Sequence, residues 1–434
     1  MKPDIISALI DGALVDPDGD GKSLLRVPTR RVAIAGSLDG MEADLINQIE
    51  CEPPYAVVSD PHTHAVLGSR IERALESIGT VIAVRLGERP HADMQTADAL
   101  AAQTSRAGAL VAVGSGTIND LCKFTAARQH KPCAVFATAP SMNGYTSVNA
   151  AISEGGLKKS LAAVAPRGVF MDLEVLSAAP VRMIRSGLGD SICRPTAQAD
   201  WLLSHLIHDS VYRTAPFDLL AEDEPGLLAE PEALLSGDLE AMARLARTLV
   251  LSGFGMTLCG GSHPASQGEH LISHYIEMMH PGSWEEAFHG EQIAVTTCVM
   301  ARLQQQIIDG PPPRLRPDPA SEASLIAHFG RETGTACWQE FTAKRLNQDK
   351  ADRINVKLEQ SWPSICESIE AVTIAAEHIH GVLKRAGAPT SFADIGLDKA
   401  FFQSAVEHAR EIRNRYTFLD LAADSGALDA SRLL

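Results

Sequence analysis

An α/β domain followed by an all-α domain is the architecture this sequence predicts, on three observations. Its 434 residues exceed what one hydrophobic core usually organises, so two domains are expected. Up to about residue 182, short β-rich runs alternate with helical stretches. Beyond that point apolar residues recur at helical spacing nearly to the end. The expected domains are therefore 1–182 and 183–434.

The strands are read at Tyr55–Asp60, Thr80–Leu86, Ala109–Gly116, Pro132–Pro140 and Gly168–Leu176, with Arg31–Gly36 as one more at the sheet edge. Helical patterns such as SRIERALESI and TINDLCKFTAARQ lie between them. Strand, helix and strand at this spacing mean parallel pairing through right-handed crossovers. In the second half MIRSGLGDSICRPTAQADWLLSHLIH, GEHLISHYIEMM, GEQIAVTTCVMARLQQQII and FFQSAVEHAREIRNRY read as helices. Pro311–Ala320 is a rigid connector, because consecutive prolines forbid helix. The acidic stretch Ala221–Glu232 reads as a solvated loop.

Composition removes several classes of function. With 38 Lys+Arg against 54 Asp+Glu the formal charge is −16, which argues against sequence-independent nucleic-acid binding. No apolar run approaches the roughly 20 residues that cross a bilayer, so no membrane insertion is expected. The N-terminal apolar stretch carries acidic residues and does not resemble a signal peptide. Eight scattered cysteines without a CxxC pair read as reduced thiols, and the expected location is the cytoplasm.

The most informative segment of the first half is ALVAVGSGTINDLCKFTA. An apolar strand runs into Gly114-Ser115-Gly116, and a helix begins near Thr117. Glycines there let backbone N–H groups approach a ligand, and the helix dipole favours a phosphate. The segment is neither GxGxxG, since Asn119 stands at the third glycine's place, nor a Walker A loop. A plain strand-to-helix turn is the alternative. Asp60, closing an earlier strand, is the residue type that bonds an adenosine ribose, or else a turn cap. The following strand ends in Thr138–Ser147, a crowd of small hydroxyl and amide groups able to meet a nicotinamide amide or simply to form a turn.

In the second half, His270 and His274 are spaced i, i+4, which sets both imidazoles on one helical face. His289 follows after a turn, and Asp190 sits beside paired glycines in Ser186–Ser191. One carboxylate with two or three imidazoles suits Zn²⁺, Ni²⁺ or Fe²⁺. With 15 histidines, a chance pair packed on a helix is the competing reading, as for His205/His208 and His378/His380.

Taken in order, VGSGTINDLCKF, TAPSMNGYTSVNAAI, APRGVFMDLEVLSAAP, GLGDSICRPTAQADW, GEHLISHYIEM, FHGEQIAV and the tail RNRYTFLDLAADSGAL resemble the sn-glycerol-1-phosphate dehydrogenase branch of the iron-containing alcohol dehydrogenase and dehydroquinate synthase-like superfamily. The resemblance spans roughly Tyr55 to Leu428. It implies a Rossmann-like NAD(P)-binding domain, a helical domain, and an active site with one divalent metal, zinc or nickel with iron possible, in the cleft between them. By motif, Asp190, His270 and His289 are the implied metal ligands, and His274 a substrate contact or proton relay. Gly116, Thr117, Ile118, Asn119 and Asp120 are the implied pyrophosphate stretch. Asp60 is the implied adenosine-side acid, and Thr138, Ser141 and Ser147 are the implied nicotinamide-side contacts.

Asn143 stands where the family usually places a substrate-binding aspartate. The implied reaction is NAD(P)-linked interconversion of sn-glycerol 1-phosphate and dihydroxyacetone phosphate by a homodimer, and the acid at Asp60 favours NAD over NADP. Another polyol, polyol phosphate or phosphonate is the nearest alternative. A dehydroquinate synthase-like cyclase and a non-catalytic nucleotide-binding module are the others. Lys158, Lys159, Arg194, Arg413 and Arg415 are candidates for meeting a substrate phosphate.

Overall fold

The apolar runs become a six-stranded, wholly parallel sheet: β1 (Arg31–Ala35), β2 (Tyr55–Ser59), β3 (Val81–Arg85), β4 (Ala109–Gly114), β5 (Cys133–Ala137) and, after a separate hairpin of β6 (Asn149–Glu154) and β7 (Leu157–Ala162), β8 (Gly168–Asp172). This is a computed structural model describing residues 4–154, 157–280, 282, 284 and 287–434, with Leu157 described by its backbone alone. The sheet order is β1-β8-β5-β4-β2-β3. Every residue of β2, β4, β5 and β8 is buried, as expected of strands covered on both faces. After β4 the chain passes to the opposite side of the sheet from β2 and β3. The loops following β2 and β4 therefore diverge at a topological switch point, where open α/β sheets bind ligands.

Six helices frame the regions of interest: α1 (Gly116–Gln129), α2 (Val181–Ser191), α3 (Arg194–His208), α4 (Leu239–Leu258), α5 (Gly268–Met279) and α6 (His289–Ile308). The chain divides into two units. One comprises Met1–Ser191 and Arg213–Ser262, the other Ile192–Tyr212 and His263–Leu434. The division thus falls at Ser191 rather than at residue 182, and a later segment returns to the first unit. Local chemistry explains the return. Asp16 pairs with Arg213 at 2.5 Å, and Asp18 accepts the Thr214 and Ala215 N–H groups at 2.8 and 3.0 Å. α4 then packs on α2 and β1 of the same unit.

The core of the second unit is purely helical and draws on α3, α5, α6 and the C-terminal helices, through residues such as Leu203, Ile272, Val299, Phe341, Leu358 and Phe418. The proline-rich connector lies outside regular structure, as its composition requires, and Asn355 brackets Leu315 by hydrogen bonds at 2.8 and 2.9 Å. No helix among the described residues is long and apolar enough to cross a membrane.

Three expectations are corrected. The strand read through Leu176 stops at Asp172, whose side chain caps a helix over Leu173–Ser177. The β6–β7 hairpin is not foreseen. The acidic stretch after Ala221 is not a solvated loop: it forms a helix over Glu224–Ala229 and a 3₁₀ turn over Pro231–Ser236, because Leu227, Leu228 and Leu234 are buried and Asp223 pairs with Arg247.

Candidate active site

In the first unit the candidate residues gather at the C-terminal edge of the sheet. β4 ends at Gly114, and α1 starts two residues later with Ser115 as its cap position. Among the described residues no side chain caps that helix start. A Cβ on Gly114 would stand 2.6 Å from the Ile118 side chain, so Ile118 is a buried support and the glycine is obligatory. Asn119, 1% exposed, has neither its amide nitrogen nor its oxygen in a hydrogen bond among the described residues. A buried carboxamide left in this state costs free energy unless a ligand completes it. The donor set of this segment fits a nucleotide phosphate.

Asp60 follows β2, whose Val58 lies in register with Ala112 of β4, so it shares this edge with the glycine turn. One of its oxygens accepts the Thr63 N–H at 2.7 Å, so Asp60 is the turn cap, and at most its other oxygen is left for a ligand. Thr138 closes β5, and its N–H donates to the Gly114 carbonyl at 3.1 Å; Ser141 lies three residues on, and both are buried. Ser147 is more committed. Its hydroxyl lies 3.0 Å from Lys123 Nζ and donates to the Asn149 carbonyl at 3.0 Å.

Lys123 is the residue the sequence reading missed. Fully buried, it donates to the Gly144 and Asn149 carbonyls at 2.8 and 2.5 Å and pairs with Asp120 at 3.1 Å. Asp120 in turn accepts the Ala151 N–H at 3.0 Å. The pair fastens the 140s loop and the hairpin to α1. The sequence shows only an Asp and a Lys spaced i, i+3 in the first turns of the helix, a spacing common on solvated faces that does not mark the pair as buried.

Asp190 lies in the last turn of α2 and is buried. It accepts the Asn143 backbone N–H at 2.7 Å. Gly187, the first of the paired glycines, makes the expected close approach: a Cβ there would fall 1.7 Å from the Pro140 carbonyl oxygen, so only glycine admits the loop. The Asn143 carboxamide nitrogen is buried with no hydrogen-bond partner among the described residues.

In the second unit three imidazoles converge. The His270 and His289 ring centroids are 5.1 Å apart, and His274 lies 6.0 Å from His270 and 6.3 Å from His289. A hydrogen bond of 3.0 Å from Ser273 to Gln292 pins α5 against α6 and fixes the histidines' relative position. His270 Nδ1 lies 2.9 Å from Glu269, a carboxylate wholly buried. The Nδ1–H donates to that carboxylate, which selects the tautomer presenting Nε2 as a ligand atom. Glu269 is a second residue not foreseen. A nitrogen-donor pair oriented in this way fits a borderline divalent cation.

Other histidines have structural roles. His208 packs edge-on against Tyr416 at 4.3 Å, and burial pushes its pKa down to about 4.

The model of the iron-containing alcohol dehydrogenase family matches residues 33–180. A glycerol-1-phosphate dehydrogenase [NAD(P)+] of Thermococcus kodakarensis is 30% identical over 282 residues, 64% of this chain and 79% of the relative. One of Bacillus licheniformis is 28% identical over 380 residues, covering 86% and 83%. Among solved structures, an iron-containing alcohol dehydrogenase of Corynebacterium glutamicum aligns with TM-score 0.56 at 15% identity over 94% of this chain and 98% of its own. A glycerol dehydrogenase of Schizosaccharomyces pombe aligns with TM-score 0.53 at 16% identity over 83% and 92%.

Proposed function

Since the chain belongs to the glycerol-1-phosphate dehydrogenases of the iron-containing alcohol dehydrogenase family, we propose that it interconverts sn-glycerol 1-phosphate and dihydroxyacetone phosphate with NAD(H), using Asp190, His270 and His289 to hold one zinc or nickel ion. It is an NAD(P)-dependent oxidoreductase of polyol phosphates. The observation that carries the finer reading is the Glu269–His270 hydrogen bond, a carboxylate turning an imidazole into a ligand. A divalent cation bound there supplies Lewis-acid stabilisation of the developing alkoxide, and the nicotinamide supplies or takes the hydride.

The chain's own residues have separable tasks. Gly116, Thr117 and the uncapped start of α1 offer N–H groups to the pyrophosphate, with Asn119 completing the contact. Asp60 takes the ribose hydroxyls through its second oxygen, which disfavours the 2′-phosphate of NADP. Thr138 and Ser141 face the nicotinamide amide, while Ser147 and Asp120 act through Lys123 to hold that loop in place. His274 moves the hydroxyl proton between substrate and solvent, a task that an imidazole's two nitrogens suit. The eight free cysteines support a reducing, cytoplasmic setting. The resemblance carries a homodimer with it, testable by sedimentation velocity.

Elemental analysis and turnover test the assignment together. Asp190→Ala and His270→Ala are expected to lose bound metal and about a thousandfold or more in kcat with unchanged far-UV dichroism. A His270→Ala protein that is metal-replete and active overturns it. The unbonded Asn143 carboxamide favours one second reading, the same chemistry on another polyol phosphate or phosphonate. A substrate panel with NADH after zinc or nickel reconstitution separates the two.

A further inference from the structure

A phosphorylated substrate brings negative charge that a binding site meets with cations, Arg above all. Most candidate cations of this chain are already engaged. Lys159 pairs with Glu154 at 2.7 Å on the β6–β7 hairpin. Arg194 donates to Gln198 at 2.6 Å and to the Val372 carbonyl at 3.4 Å. Arg410 lies among three carboxylates, Asp318, Asp420 and Asp424. Arg413 differs. Among the described residues no hydrogen bond or ion pair engages its guanidinium, although it is only partly exposed.

Its position is suggestive. The 3₁₀ turn Ala409–Ile412 packs against α5, the helix that carries His270 and His274, and Arg413 follows directly. A three-residue turn, closed by the Arg415 N–H on the Arg413 carbonyl at 3.0 Å, then folds the chain back. Arg415 donates to the Ser266 carbonyl just ahead of α5. Burial depresses the Arg413 guanidinium, opposed by the charges of Glu340 and Glu277. Glu277 stands three residues after His274 and seven after His270, so it lies on the face that presents both imidazoles. Burial and the charge of Arg413 push Arg415 down to about 9. Two partly desolvated guanidiniums two residues apart beside α5 are a costly arrangement that a nearby anion relieves.

We propose that Arg413, backed by Arg415, receives the phosphate of the substrate and sets the preference for phosphorylated over unphosphorylated ketones and polyols. The inference rests on the reading of the preceding subsection for its substrate class. From His270 to Glu277 is about 10 Å along the helix axis, a span that a three-carbon phosphate and a guanidinium arm cover together.

The test uses the metal-reconstituted protein and two readouts. Titration calorimetry with inorganic phosphate measures the anion site alone. Steady-state kinetics with NADH compare dihydroxyacetone phosphate with dihydroxyacetone. Arg413→Gln is expected to weaken phosphate binding and raise KM for dihydroxyacetone phosphate, each about 10- to 100-fold, with a smaller change in kcat and a collapse of the preference ratio. Arg413→Lys, which keeps the charge without the fork, falls between and carries the test if the glutamine variant does not fold. Unchanged phosphate affinity and unchanged KM in both variants overturn the proposal, as does a wild-type protein that binds no phosphate. Weakened phosphate binding in a protein that never reduces dihydroxyacetone phosphate sustains the arginine and refutes the substrate. Turnover of that substrate with phosphate binding intact in Arg413→Gln refutes the arginine and sustains the substrate.

Discussion

Two helix starts in this molecule, one in each unit, are built on opposite plans. α1 begins with no capping side chain among the described residues, and the buried Asn119 amide above its first turn has no hydrogen bond there. α5 begins sealed. The Gly268 N–H donates to Asp200 at 2.9 Å, the Gln267 N–H donates to Glu269 at 2.8 Å, and Glu269 also holds His270. The first start leaves its positive end and a polar side chain for something external to complete. The second spends its carboxylates internally and thereby exports a single oriented imidazole nitrogen. A helix start that is deficient in bonds is thus suited to receiving an anion, and one that is saturated to aiming a ligand.

Substitution at Glu269 breaks the contrast most severely. Glu269→Gln keeps the shape and removes the charge that selects the His270 tautomer, so metal affinity is expected to fall about 100-fold, read by competition with a chromophoric chelator. An unchanged affinity means that the carboxylate only caps the helix. Asn119→Leu probes the other start. Removing an unbonded buried amide is expected to leave stability in urea unchanged or slightly higher, while the Kd for NADH rises about tenfold by fluorescence titration. Lost stability with unchanged NADH affinity assigns Asn119 to the core.

The smallest effect concerns the saturated side in general. Asp318, Asp420 and Asp424 crowd around Arg410, with Lys344 on Asp420 and Arg345 beside Asp318, and Asp424 is pushed up to about 7 chiefly by burial, against the attraction of Arg410. A carboxyl whose folded pKa lies above its unfolded value binds more protons when folded. Its contribution to stability is therefore fullest below about pH 4 and declines as pH rises toward 7. Asp424→Asn is expected to flatten that decline between pH 5 and 7 in urea unfolding, and an unaltered slope removes Asp424 as its source.

What the sequence disclosed follows the same division. The starts of the buried parallel strands were legible to within a residue, because both faces are covered and the runs are continuously apolar, as in Ala109–Gly114, whereas their ends were read up to four residues too long, as at Asp172. The glycine turn, the i, i+4 histidines and the paired glycines near Asp190 were legible because each is a local backbone requirement. The β6–β7 hairpin was not, since NAAISE and LKKSLA are weakly apolar and alternate only partly. The acidic stretch misled because its charges outnumber the few leucines that it buries. Lys123 and Glu269 were invisible as functional residues for a shared reason. Each acts through a neighbour, and burial of a charge with its partner is a tertiary event that no spacing announces.

Gly187 has a consequence for the evolvability of the site. The Pro140 carbonyl occupies the notch that a side chain at 187 would fill, so the 140s loop meets the helix bearing Asp190 through its own main-chain atoms, the Pro140 and Ser141 carbonyls and the Asn143 N–H. Exchange of the residue at 143 leaves the bond to Asp190 intact, because that bond is made by the peptide N–H. The side chain at that address can therefore vary while the charge-bearing scaffold behind it stays put.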